Sequence, residues 1–279
     1  MSVFLARVAG NPARVGASWC RRQYSCPTSA GGAVGGGGGV GGKVFAGRVR
    51  AADLRALVEC GRTVRYAPGD HLMRQGDPGD CVLLVGSGRV KVVARDGAGH
   101  ERLLGIRGSG ELLGEMSCVD DGPRSASVVA HDPVSATKIA KARFMGIMGE
   151  RPAIAREVVR QVSQRLRDAE RKQSELTSDS VDTRVARVLA ELVGLFADDS
   201  ALGPRGVTVP LGQEELAQLA AASHVSAQRA LRGLRARGLV TTGYGRVDIP
   251  CLGCFTALSG LNPAKDVRGC GGRGACPQG

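Results

Sequence analysis

The chain has 279 residues, a net charge of +12 and only 3% aromatic residues, so it is long enough for two modest domains whose cores must be built from Val, Leu, Ile and Ala. The charge is uneven: residues 1–50 hold seven basic and no acidic residues, and 251–279 hold three basic and one acidic, which leaves +3 for 51–250. The part expected to fold is therefore only mildly basic. No apolar run reaches the roughly 20 residues of a bilayer span, and no nucleophile–base pair or P-loop supports an enzyme.

Residues 1–45 are read as a disordered extension, because the tract Ala30–Gly42 is nearly all glycine and cannot bury a core. Cys60, Cys81 and Cys118 stand singly inside patterned segments, so free thiols in a reducing cytoplasm are expected. From Tyr66 to Lys141 short alternating stretches such as Arg89–Val92 are separated by turn sequences ("GDPGD", "DGAGH"), which predicts a small antiparallel β-roll over 46–150. Within it, "GELLGEMSCVDDGPRSASV" (110–128) places Gly114 and Glu115 at one end and Arg124 and Ser125 at the other. The Asp-Asp-Gly-Pro run between them suits neither strand nor helix.

A helical pattern begins near Ala142. Over 154–176 the positions Val162, Leu166, Ala169, Gln173 and Leu176 are spaced 4, 3, 4, 3, a heptad seam that predicts a parallel homodimer through a helix at 151–179. The opposite face carries Arg160, Arg165, Arg167, Arg171 and Lys172. Ser180 is a suitable N-cap, and Val185–Phe196 reads as a second amphipathic helix.

A short helix at Gln213–Ala220, a turn at 221–223 and a helix from His224 to about Arg235, capped by Ser223, make a helix-turn-helix. "LVTTGYGRVDI" follows as a β-hairpin wing, completing a domain at 180–250. No acid occurs from Leu216 to Val247, whereas Arg229, Arg232, Arg235, Arg237 and Arg246 do, which points to double-stranded DNA. The fold class is thus α+β: a β-roll, a long dimerisation helix and a C-terminal winged helix.

With "GELLGEMS", "RSASV", the roll glycines and the helix-turn-helix in this order, residues 55–250 resemble the CRP/FNR family of bacterial transcription regulators. The resemblance implies a cyclic-nucleotide cassette. Arg124 and Ser125 would take the phosphate, the backbone amides around Met116 and Ser117 would assist, and Glu115 would take the ribose 2′-hydroxyl beside a close backbone approach at Gly114. Positions that meet the adenine in cyclic-AMP-responsive members are matched by Ala169 and Glu170, which offer little to a purine edge. Cyclic AMP is the first expectation, with cyclic GMP or no ligand as alternatives.

The resemblance also implies that Gln213, Ser223, His224, Val225, Ser226, Gln228, Arg229, Arg232 and Arg246 face DNA, with RNA polymerase as a further partner. Members reading "TGTGA" begin this helix with Arg-Glu and carry another Arg a turn later. His224 and Val225 break that pattern and Arg229 keeps it, so a different operator is expected. A cyclic-nucleotide-binding interaction protein without specific DNA readout is the second reading. Cys20, Cys26 and Cys118 partly echo an iron–sulfur set but lack one ligand. In the tail, Cys251, Cys254, Cys270 and Cys276 space poorly for zinc, so 251–279 is read as a disordered Cys/Gly-rich end.

Overall fold

The computed structural model describes residues 44–196, 206–251 and 255. These fall into two compact units, one ending at Ser178 and one beginning at Asp179.

The first unit opens with two short helices, α1 (Phe45–Arg48) and α2 (Ala51–Glu59), which the sequence reading did not mark. The strands follow in the order β1 (Arg62–Tyr66), β2 (His71–Met73), β3 (Cys81–Ser87), β4 (Val90–Arg95), β5 (Glu101–Arg107) and β6 (Leu112–Leu113). A short helix, α3 (Glu115–Val119), precedes β7 (Ser127–Ala130) and β8 (Val134–Ala140). They pair antiparallel into two four-stranded sheets, β1-β8-β3-β6 and β2-β7-β4-β5.

Strand β3 shows why the roll holds together. Its alternate residues Cys81, Leu83 and Val85 enter one apolar cluster with Val90, Val128 and Val134, while Val82 and Leu84 enter another with Leu57, Phe144 and Ile154. A strand buried on both faces is apolar at every position, as here, rather than at every second one. Phe45, at the last position of the expected extension, is 2% exposed and sits in the second cluster. Residues 1–43 of that extension lie outside the described residues, as do Cys20 and Cys26 and most of the tail. Cys60, Cys81 and Cys118 are free thiols.

Helix α4 (Lys141–Glu150) leads to α5 (Pro152–Ser178), which starts on a proline at a position where no N–H is missed. Ile154, Glu157, Val158 and Gln161 bury its first turns. Farther along, Leu166 is 60% and Leu176 48% exposed, as is Val159 one heptad before Leu166, so the seam is uncovered in the single chain.

The buried carboxylates here have paired cations. Asp53 meets Arg50 at 2.9 Å and Arg151 at 3.0 Å, and Glu157 meets Arg48 at 3.3 Å and Arg160 at 3.0 Å. The hydrogen bonds from Arg151 and Arg50 hold the Asp53 carboxyl below its ordinary range.

In the second unit α6 (Val181–Phe196) begins one turn earlier than expected, with Ser180 Oγ accepting from Thr183 N at 3.2 Å. Then come β9 (Val207–Val209), α7 (Gln213–Leu219), α8 (His224–Ala236), β10 (Thr241–Gly243) and β11 (Arg246–Ile249), the strands forming a sheet in the order β10-β11-β9. Strand β9 was not expected; Val207 and Val209 are buried on either side of Thr208. Among the described residues no helix is long and apolar enough to cross a membrane.

Candidate functional site

The 110–128 segment leaves β6, turns at Gly114 and forms the single turn and a half of α3 before the Asp-Asp-Gly-Pro run. Gly114 has φ +79, and a Cβ there would overlap the Arg124 guanidinium and come within 2.6 Å of Met73 Cε. A glycine is thus required both by backbone conformation and by the packed arginine. No side chain caps α3, so its first-turn amides, including those of Met116 and Ser117, are left for another acceptor. The far end is tied down by backbone bonds from Arg124 N to Asp77 O (2.8 Å) and from Gly76 N to Arg124 O (2.9 Å).

Arg124 is 4% exposed. Its Nη1 donates to Gly114 O (2.9 Å) and Ser117 Oγ (2.7 Å), and its Nη2 donates to Asp80 Oδ1 (3.1 Å) and Cys81 O (2.7 Å). Nε has no partner among the described residues, so one edge of the fork remains for an anion. Burial raises the proton affinity of Asp80, but the Cys81 thiol, Lys138 and Arg124 outweigh it and hold its carboxyl below the usual range. Burial and the Asp80 carboxylate push the Cys81 thiol up to about 11.

Glu115 does not pair with Arg124. It is fully buried, and its Oε1 accepts from Arg165 Nη1 at 2.6 Å. Arg165 Nη2 also donates to Leu112 O at 3.0 Å. Arg165 is therefore not on the solvated face where its basic neighbours suggested it belonged. It continues the buried stripe Ile154, Val158, Gln161 at helical spacing, and following that stripe would have found it. Glu115 Oε2 is buried without a hydrogen-bond partner. An unsatisfied carboxylate oxygen costs free energy unless a donor arrives.

The fold thus brings Gly114, Glu115, Ser117 and Arg124 together and adds Asp80 and Arg165, which sequence reasoning missed. Ser125 is exposed, and Met116 is 40% exposed. Ala169 and Glu170 are exposed on α5. Ala169 lies one turn beyond Arg165 and one before Lys172, whose Nζ donates to Leu104 O at 3.4 Å, so it shares their roll-facing stripe. Glu170 lies about 100° round the helix from Ala169.

In the second unit Ser223 Oγ accepts from Ser226 N at 3.2 Å and donates to Ser226 Oγ at 2.9 Å, so both serines serve the start of α8. Gly212 has no side chain to cap α7. Instead its N–H donates to Glu215 Oε2 at 3.0 Å, with Gln213 half-buried beside it. Ala227, Ala230, Leu231 and Leu234 bury one face of α8. Val225, Arg229 and Arg232, spaced 4 and 3, are exposed on the other, with Val225 62% exposed.

Arg229, Arg232 and Arg237 have no ion-pair or hydrogen-bond partner among the described residues. The side chains of His224 and Gln228 lie 3.4 Å apart. Arg235 Nη1 donates to Thr242 Oγ1 at 3.2 Å, linking α8 to the wing. Arg246 meets Asp248 at 3.3 Å, an acid just beyond the stretch that the sequence reading surveyed.

A β-roll with a buried Glu and Arg on one polar segment, and a winged helix presenting unpaired arginines, define a two-part DNA-binding regulator. Residues 63–151 match the family model of the cyclic nucleotide-binding domain and 183–252 that of the Crp-like helix-turn-helix domain. The chain is 32% identical over 192 residues to the CRP-like cAMP-activated global transcriptional regulator of Mycobacterium tuberculosis, covering 69% of this chain and 85% of that protein. It is 33% identical over 184 residues to the cyclic AMP receptor protein of Thermus thermophilus, covering 66% and 82%. The solved structure of the c-di-GMP responsive global regulator CLP of Xanthomonas campestris aligns with a TM-score of 0.61 at 27% identity, over 72% of this chain and 99% of that one. The chain belongs to the CRP/FNR family of DNA-binding transcription regulators.

Proposed function

We propose that the roll, 46–150, takes a cyclic nucleotide, cyclic AMP first, and that its binding sets operator affinity of the winged helix, 180–250. The observation that carries this is the orphan Oε2 of Glu115, a buried acceptor beside a buried arginine with a free Nε. A ribose 2′-hydroxyl satisfies the first and a phosphate the second, with Ser125 and the α3 amides completing the phosphate cradle. Arg165 keeps Oε1, so the ligand bears on the long helix through one carboxylate. The named relatives support cyclic AMP in two cases and c-di-GMP in one.

The seam Val162, Leu166, Ala169, Gln173 and Leu176 on 151–179, exposed but for the half-buried Val162, serves a homodimer, which presents two copies of α8 to adjacent major grooves. Arg229 and Gln228 read base edges, the Val225 side chain suits a thymine methyl, and Gln213, Arg232 and Arg246 contact phosphates. RNA polymerase is the partner on the promoter.

Calorimetry with cyclic AMP tests the ligand, and selection of duplexes from a random pool with and without it tests gating. Loss of all binding heat at millimolar ligand, or identical selections, would overturn the reading. Changing Leu166 and Leu176 to Glu yields monomers in light scattering; a persistent dimer refutes the seam.

A further inference from the structure

The roll has an open cavity of about 430 Å³ that borders the cassette at Asp80 and Cys81 and is lined beyond them by Arg62, Lys138, Ala140 and Arg143. Its charge is lopsided. Arg62 and Lys138 stand directly opposite each other in the β1–β8 ladder, a like-charge pairing that destabilises a sheet. Arg143 joins them from the first turn of α4, where a cation opposes the helix dipole. The first amide of that helix, Lys141 N–H, donates to Asp80 O at 2.8 Å, but the helix has no side-chain cap and no acid in its first turn, and its N-cap residue, Ala140, is part of the lining. The one acid present, Asp80, is committed to Arg124 at 3.1 Å. Among the described residues neither Arg62, Lys138 nor Arg143 has an ion-pair partner. Three separate unfavourable placements thus converge on one concave space, and a single oxyanion would relieve all three.

We propose that this cavity is a second ligand site, for a small phosphate-bearing molecule. Arginine forks and a helix start without a side-chain cap suit phosphoryl oxygens, and the volume exceeds that of a bare phosphate. The site is wired to the cassette. Asp80 accepts from Arg124 and lines the cavity together with Lys138, whose charge also helps hold the Asp80 carboxyl ionised. An anion on Lys138 withdraws that cation and repels Asp80, and both effects press Asp80 onto Arg124. The second ligand therefore weakens cyclic nucleotide binding, and linkage makes the antagonism reciprocal. This coupling, unlike the site itself, rests on Arg124 as the phosphate ligand of the cassette.

Pyrophosphate is the probe, titrated into the full chain at constant ionic strength. Wild-type protein and Arg124→Ala bind it. The double variant Lys138→Met/Arg143→Gln binds it at least tenfold more weakly. Saturating pyrophosphate raises the Kd for cyclic AMP at least threefold in the wild type and leaves that of Asp80→Asn unchanged. Equal pyrophosphate affinity in the wild type and the double variant overturns the site. Loss of pyrophosphate binding in Arg124→Ala assigns the anion to the cassette and overturns it too. An unchanged cyclic AMP affinity overturns the coupling. Should cyclic AMP bind nowhere, the cassette reading fails while the pyrophosphate titration still decides this site. Thermal unfolding guards against a misfolded variant: Lys138→Met removes a like-charge pair and melts no lower than the wild type without anion.

Discussion

Arg124 and Arg229 carry the same guanidinium in opposite surroundings. Arg124 is buried, with five hydrogen bonds from two nitrogens to groups of the roll. Arg229 is exposed on α8 and touches nothing polar among the described residues. A ligand of a few ångströms needs a pre-set charge in a fixed position, and the roll holds it there at the cost of desolvation. A DNA duplex supplies its own array of charges and groove edges, so residues proposed to read it can stay solvated until it arrives. The two regions therefore answer to different perturbations: the first to loss of an internal partner, the second to salt.

The sharpest test removes Arg124. Arg124→Ala leaves Gly114 O, Cys81 O and Ser117 Oγ short of a donor inside the roll, at about 1–3 kcal/mol for each buried group left unpaired, while Asp80, whose side chain is 68% exposed, stays solvated. Chemical unfolding of the first unit shifts accordingly, and cyclic AMP heat disappears. Arg124→Lys recovers part of the stability and less of the binding, because an ammonium cannot fork between Ser117, Asp80 and a phosphate. If Arg124→Ala unfolds like the wild type, the arginine is not the internal strut that its hydrogen bonds describe.

On the other side, Arg229→Ala leaves stability unchanged and costs about 1–3 kcal/mol at the preferred operator, relaxing base preference at one position. Arg237→Ala, at the C-terminal end of α8, costs less and about equally on every duplex. For every phosphate that the protein no longer neutralises, the salt slope of binding falls by about 0.9. Uniform weakening by Arg229→Ala on all sequences would make it a backbone-binding residue and erase its distinction from Arg237.

The same contrast explains which parts of the molecule were legible beforehand. The helix-turn-helix was readable because capping serines, buried alanines and leucines and exposed arginines all recur within one or two turns. The cassette ends were readable because Gly114, Glu115, Arg124 and Ser125 lie on one segment. Asp80 and Arg165 were not, because they reach Arg124 and Glu115 across 44 and 50 residues of chain and no local periodicity records such a pairing. Helix α1 and strand β9 escaped for another reason: four and three residues are too few to display a period. Helix α2 has nine residues, but its buried face is only Asp53, Leu54 and Leu57, a charged residue and two leucines within one turn, too short a stripe to stand out as a period.

Ala169 and Glu170, the positions proposed to meet the purine, are exposed like the residues of α8. Cyclic AMP and cyclic GMP should then differ by less than about a hundredfold in Kd, about 2.7 kcal/mol, in calorimetry on the full chain. A larger preference would reveal base recognition that these residues do not supply.

The mildest perturbation is pH, and it separates the two regions without a ligand. Asp53 is buried between Arg50 and Arg151, and its carboxyl titrates below the ordinary aspartate value in the folded chain. A folded value lower than the unfolded one means that the unfolded chain takes up its proton first as pH falls. Its contribution to stability is therefore fully present above the ordinary aspartate range and is lost progressively below it. Asp53→Asn should lower the melting temperature at neutral pH, and the gap from the wild type should close only as the pH drops under about 4. Arginines do not titrate in this range, so Arg229→Ala should track the wild type throughout. A gap for Asp53→Asn that stays constant down to pH 3 would mean that packing at this position, and not the carboxylate between its two arginines, holds α2 to the roll.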